Sequence, residues 1–253
     1  MYNQYSELYS KWCELYDPNN IELTIIEKYC SFKNQDVLDI GCGTGRFMFR
    51  ILPLAKSILG VDNDEKSIAI LNKILQEKYS KFITRAEVRC CNIEDLISAE
   101  NSIDIAVFSW SFYALNKEQM VHSLKTIHSM LRKDGKLIIL QPVGGAFEEI
   151  MRTFFNEHTD MDEYNDCLAL MNEVTSSFTK IATDYINSEF VVNDIIMLAD
   201  ALKMFALTEG NSTDKELQHI TPNRLENMIE KNKKDGAYHL NDEVAVFVFE
   251  KKR

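Results

Sequence analysis

A chain of 253 residues that is 45% hydrophobic and 26% charged suits one α/β domain, or one domain with an insertion, and buries a large core without needing disulfides. Its net charge of −11 disfavours a nucleic-acid substrate, which needs clustered Lys and Arg, and mildly favours a neutral, cationic or small one. No apolar run approaches the ~20 residues of a membrane span. The six cysteines, with no C-x-x-C pair, no metal-ligand spacing and no secretory signal before them, read as reduced thiols of a cytosolic protein.

In chain order, the polar and aromatic N-terminus reads as a helix-like segment carrying Tyr9, Trp12 and Tyr16. From residue 36 to 141, short apolar runs alternate with helical patterns. DVLDI (36–40) is a buried strand ended by glycine, RFMFRIL (46–52) a helix stopped at Pro53, and SILGVD (57–62) a second strand. Ile68, Leu71 and Leu75 form the buried stripe of the next helix, for which Asp64 is the natural cap. EVRCC (87–91) and DIAVFS (104–109) are the third and fourth strands. Asn116 and Gln119 are placed for a reciprocal cap on a helix that buries Val121, Leu124 and Leu131 and ends with Gly135 as its left-handed residue. KLIILQP (136–142) is the fifth strand.

After residue 145 the pattern changes. Residues 146–177 read as mostly helical, 178–187 as a sixth strand and 193–207 as an apolar helix. The run 243–252 is a last strand that is apolar on both faces, which places it inside the sheet, and it arrives late enough to slot in antiparallel. Alternating strands and helices imply a mostly parallel sheet covered on both faces.

Three of the nine glycines, Gly41, Gly43 and Gly45, fall within five positions after the first strand. Open α/β sheets bind ligands at the carboxyl ends of their strands, and bare backbone there lets a ligand approach closely. The helix behind the loop carries roughly half a positive charge at its N-terminus. A phosphate-cradling P-loop needs a Lys after its last glycine, and a dinucleotide loop needs G-x-G-x-x-G; Arg46 stands where either would differ.

The remaining pattern, acidic-x-G-x-G-x-G from Asp39, resembles the first motif of the class I S-adenosylmethionine-dependent methyltransferases. The resemblance spans residues 36–145 and continues through GVDNDEKSI (60–68), CNIEDL (91–96), DIAVFSWSFYAL (104–115) and LRKDGKLIILQP (131–142). It implies a Rossmann-like, doubly wound, seven-stranded sheet, mostly parallel with an antiparallel last strand and helical insertions after the fifth strand. The organisation it implies is an N-terminal helical lid (1–30), a cofactor-binding core (31–145), a helical cap holding the sixth strand (146–235) and the final strand (236–253).

The cofactor so implied is S-adenosylmethionine. Gly41 and Gly43 would touch its aminoacyl part, with Asp39 orienting the ammonium. Asp62 would accept both ribose hydroxyls, since a carboxylate offers two acceptor oxygens to a diol. Asn63 would bound the adenine edge, with Asn92 (often Asp in the family) and Ile93 against the ring and Ser109 beside the cofactor. Trp12, Tyr16 and Trp110 are expected at the lid and acceptor, where aromatic faces suit a sulfonium or an amine. Tyr113 replaces a histidine common in small-molecule members, and is the candidate to orient a nucleophile or act as a weak base. Cys42 reads as a small filler, and His122 and His128 as surface positions. The expected activity is methyl transfer to oxygen or nitrogen of a small molecule by a monomer or homodimer, with nucleic acid disfavoured as a partner, no membrane and no metal; the alternatives are a tRNA or protein methyltransferase, or a regulatory protein that binds S-adenosylmethionine without transferring its methyl group.

Overall fold

The structure, a computed structural model, describes residues 6–155, 167–171, 173, 175–208 and 219–252. Its strands are β1 (Asp36–Ile40), β2 (Ser57–Asp62), β3 (Ala86–Cys90), β4 (Ile103–Ser109), β5 (Leu131–Gly145), β6 (Phe178–Val192), β7 (Lys233–Lys234) and β8 (Ala237–Lys251). They form one sheet in the order β3-β2-β1-β4-β5-β8-β6, with β7 paired to β8. The first five are mutually parallel. β8 runs antiparallel between β5 and β6, which explains why Val244, Val246 and Val248 and also Ala245, Phe247 and Phe249 are buried.

The sheet has eight strands among the described residues, rather than the seven expected. The extra strand is the two-residue β7, which returns into β8 through Asp235 and Gly236, with φ of 49° and 84°. Two consecutive positive φ values make the tight hairpin turn that Asp-Gly favours. β5, β6 and β8 also extend beyond the expected runs.

The helices that position the site are α1 (Ser6–Leu15), α2 (Ile21–Ile26), α3 (Met48–Ile51), α4 (Glu65–Lys78) and α5 (Lys117–Met130). α4 is capped by Asp64, whose Oδ2 accepts from the Ser67 N–H at 3.0 Å. α5 carries the full reciprocal cap of Asn116 and Gln119, at 3.0 and 3.1 Å. Two local expectations shift by one residue. Met120 rather than Val121 points inward, leaving Val121 45% exposed, and Asp134 (φ 63°) rather than Gly135 takes the left-handed position. α3 is shorter than the expected 46–52, because the glycine turn persists through Phe47 before regular helix begins.

The strands divide the core in two. On one face, Val37, Ile58, Val107, Leu140 and Val246 pack with α2, α3 and the N-terminal aromatics. On the other, Leu38, Ile40, Phe108, Ile139 and Phe247 pack with α5. Beyond β5, helix α6 (Ala146–Phe155) begins the cap, and residues 156–166, which include His158 and Met161, lie outside the described residues. None of the helices of the described residues is long and apolar enough to cross a membrane.

Candidate active site

The glycine loop crosses the tip of β1 with φ of +68° at Gly41, +53° at Gly43 and +96° at Gly45. A Cβ at Gly41 would stand 2.4 Å from the Ser111 Cβ, so the loop excludes a side chain there on both backbone and spatial grounds. Gly41 and Cys42 both donate to the Val61 carbonyl, at 2.8 and 3.1 Å, which ties the loop to the tip of β2. The Asp62 carboxylate completes the tie: Oδ2 accepts from the Gly43 N–H at 2.8 Å and Oδ1 from the Asp64 N–H at 2.9 Å. Each oxygen keeps a lone pair for a further donor. Burial, against these backbone bonds, raises the Asp62 carboxyl above its ordinary range. Cys42 is buried, and its sulfur lies where a side chain at Gly60 would fall; burial pushes its thiol well above the usual value, which suits packing and not nucleophilic attack.

Asp39 lies at the end of β1, 1% exposed, and no side chain among the described residues donates to its carboxylate, towards which only the Met48 backbone N–H is directed. Burial pushes its carboxyl up to about 7, against the pull of Arg46. Buried carboxylates are ordinarily paired with side-chain or cationic donors, and this one has none.

At the tips of β2 and β3, Asn63 Nδ2 donates to Asn92 Oδ1 at 2.9 Å, and Asn92 Nδ2 donates to Asp95 at 3.0 Å. Ile93 beside them is buried. At the tip of β4, Ser109 accepts from Arg46 Nη2. Trp110 then takes φ 61°, a left-handed backbone rare for a bulky residue. It is held by its N–H to the Leu140 carbonyl at 2.9 Å and its indole Nε1 to Glu22 at 2.8 Å. Asp39, Asp62 and Ser109 thus line the carboxyl ends of three adjacent strands, where this class of sheet binds ligands.

The N-terminal segment packs over that edge. Tyr16 forms an isolated antiparallel bridge with Phe190, and its ring meets those of Trp110 and Phe190 at 4.6 and 4.7 Å. Trp12 packs on Phe190 at 4.2 Å. The side chain of Tyr9 is outside the described residues. Tyr113 follows in a short turn but packs, half-buried, against the α5 face of the sheet, apart from Tyr16 and Trp110. His122 is exposed, and His128 rests edge-on against Phe178 at 5.4 Å.

The sequence reading had no place for a buried ionic network. Glu22 Oε2 accepts from Arg46 at 2.7 Å while Oε1 accepts from Trp110. Asp17 Oδ2 accepts from Arg50 at 2.7 Å, and Arg50 also donates to the Tyr16 carbonyl. Both carboxylate side chains are 0% exposed. Burial works against the charge on Arg46, and Glu22 overcomes it, holding the guanidinium protonated above the ordinary arginine range. A signal did exist: two arginines, Arg46 and Arg50, sit in an otherwise apolar helical run and require buried partners.

The methyltransferase domain family model matches residues 31–244. The chain belongs to that family. It is an S-adenosylmethionine-dependent methyltransferase of the class I fold. An uncharacterized methyltransferase of Staphylococcus carnosus is 23% identical over 214 residues, covering 79% of this chain and 94% of that one. Saccharomyces cerevisiae CRG1, named a probable S-adenosylmethionine-dependent methyltransferase, is 26% identical over 136 residues; the match covers 51% of this chain and spans 44% of CRG1. A solved protein of Bacillus halodurans shares the fold with a TM-score of 0.59 at 13% identity, covering 91% of this chain and 98% of that one. The Asp39 carboxylate, which lacks a side-chain donor, and the bare loop at Gly41 would fit the amino-acid end of the cofactor, and Asp62 would fit its diol.

Proposed function

We propose that this methyltransferase acts on an oxygen or nitrogen of a small-molecule acceptor. The observation that carries this reading is the arm formed by α1 and α2, which lies against the carboxyl edge of the sheet. Its Tyr16 is 2% exposed, its Asp17 is paired with Arg50 of α3 and its Glu22 with Arg46 of the glycine turn. An edge covered in this way suits an acceptor small enough to be enclosed. The charge of −11 also works against a polyanionic one.

When bound, the cofactor supplies an electrophilic methyl group. The chain's own contribution is positioning and exclusion of water, because the leaving thioether needs no proton. Gly41, Gly43 and Asp39 hold the amino-acid end, Asp62 the ribose, and Asn63, Asn92 and Ile93 the base, with Ser109 beside the amino-acid end. Tyr16, Trp110 and Trp12 wall the acceptor side. Tyr113 packs on the α5 face of the sheet, apart from these rings, and this reading gives it no step on the acceptor. The absence of a disulfide at Cys13, Cys30, Cys42, Cys90, Cys91 and Cys167 supports work in the reducing cytoplasm.

The test is incubation of the purified protein with methyl-labelled cofactor and a host extract separated into metabolite, RNA and protein fractions. Label is expected in the metabolite fraction, where mass spectrometry identifies the methylated atom. Label confined to RNA or protein overturns the reading.

A further inference from the structure

Strands β5, β6 and β8 run past the tip of β4. Ser109, at the end of β4, is level with Leu140 of β5, and Leu140 with Val246 of β8; Asp242 stands four residues farther along β8, above the carboxyl edge. The three strands thus make a wall beside the crevice. On the face that meets the arm, alternate residues of that wall are apolar: Ile186, Phe190 and Val192 on β6, and Leu240, Val244 and Val246 on β8. Ser188 and Asp242 break both stripes at one level, because they are register partners and share a face. They are 1% and 2% exposed. On the β5 side the register partner of Asp242 is Gly145, which puts no side chain beside it.

Tyr16 stands over this pair. Its bridge to Phe190 seats it two residues along β6 from Ser188, and its ring meets that of Trp110 at 4.6 Å. Its hydroxyl lies beside Ser188 and in the field of Asp242. Burial first, and then the charges of Glu22 and Asp242, hold that phenol well above its ordinary range against the pull of Arg46, so it stays protonated. Ser188 and Asp242 lie inside long strands, where no cap or tight turn asks for a polar side chain. Apolar residues would pack there at less cost, since buried hydroxyls and carboxylates give up their water. Local breaks of the packing pattern of this kind collect where a protein serves its ligand.

The chemistry of the set indicates what it takes. A carboxylate only accepts hydrogen bonds, whereas the two hydroxyls accept and donate. An ammonium group offers three N–H donors and a positive charge, and hydrogen bonds between ions are the stronger kind. We propose that Ser188, Asp242 and the Tyr16 hydroxyl form the far end of the acceptor site and hold a protonated amine of the acceptor. Protonated there, that nitrogen is not the atom that is methylated; the nucleophile lies nearer the tip of β4. The inference rests on the small-molecule reading and narrows it to amine-bearing acceptors.

The test begins with host metabolites separated on a cation exchanger at pH 7, each pool then being incubated with the protein and methyl-labelled cofactor. Label is expected in products of the retained pool, where mass spectrometry identifies the acceptor. Label only in products of the unretained pool overturns the inference and leaves the small-molecule reading standing. Label found only in RNA or protein overturns both. With the identified acceptor, Ser188→Ala and Asp242→Asn are expected to raise KM roughly tenfold or more. Their melting temperatures and their calorimetric affinity for S-adenosylhomocysteine are expected to match wild type. Acetylation of the acceptor's amine is expected to raise KM for the wild-type protein in the same way, a readout that needs no variant to fold. An acetylated acceptor turned over with unchanged KM overturns the inference. So do variants that melt earlier and keep the wild-type KM, which would assign the cluster to the fold alone.

Discussion

Asp36 and Asp39 open and nearly close the same five-residue strand, and their surroundings are opposite. Asp36 accepts from Lys56 at 2.8 Å, Ser57 at 2.6 Å and Arg132 at 3.0 Å. Arg132 also pairs with Asp104 on the neighbouring strand at 2.7 Å, and Asp104 accepts the Asp36 N–H at 2.9 Å. Burial works to raise the Asp36 carboxyl, but these donors outweigh it and hold it below the ordinary range. Asp39 has no side-chain donor among the described residues, and burial pushes it up to about 7 against the pull of Arg46 and the Met48 backbone N–H. The amino edge of the sheet is thus closed by its own ion pairs, while the carboxylate near the carboxyl edge has no side-chain donor and is available to the role proposed for it.

The largest effect that sharpens this contrast is on cofactor binding. Asp39→Asn removes the charge proposed to meet the ammonium, and calorimetry with S-adenosylhomocysteine is expected to show affinity lowered roughly tenfold to hundredfold, as for a charge-assisted hydrogen bond. Next comes pH. With the carboxyl protonating at about 7 in the free protein, wild-type affinity falls on acidification below that value, by up to about tenfold per pH unit, and Asp39→Asn flattens this dependence. The same shift acts on stability in the opposite sense to that of Asp36. A carboxyl raised in the folded state favours folding of the ligand-free protein at low pH, and that advantage is lost as pH rises from about 4 to about 7, by up to about 1.4 kcal/mol per unit. The lowered Asp36 contributes stability above the ordinary carboxylate range and loses it as pH falls through its folded value. Urea titrations of wild type, Asp36→Ala and Asp39→Asn across pH separate the two limbs.

Asp62→Ala follows, with cofactor affinity reduced roughly tenfold for the lost diol contacts. Unchanged affinity would remove that residue from the site. The smallest effect is that of Asp36→Ala, expected to cost about 1 kcal/mol of stability and to leave cofactor binding as it was. A binding defect in that variant would break the division between the two edges.

What was legible in the sequence depended on distance along the chain. The glycine loop, Asp62 and the caps at Asp64 and Asn116 are settled by neighbours a few residues away, so spacing alone announces them. The Asp235-Gly236 turn was equally local; its two positive φ values are what that pair favours, and the short β7 follows from it. Arg46–Glu22, Trp110–Glu22 and Tyr16–Phe190 join residues that only the folded sheet brings together. Nothing in periodicity pairs them, and so the ionic network and the seating of the arm emerged with the structure. The same reason explains Tyr113: its place in a motif put it near the chemistry, whereas its packing against the α5 face depends on how the chain turns after the left-handed Trp110.

The antiparallel insertion of β8 carries a consequence for biosynthesis. Strand β6 has its full ladder only with β8, which is made some fifty residues later, and Tyr16 docks on Phe190 of that same strand. The arm that carries Tyr16 therefore gains its full seat only once β8 has been made and has paired with both β5 and β6, so the seating of the arm waits on contacts between distant parts of the chain.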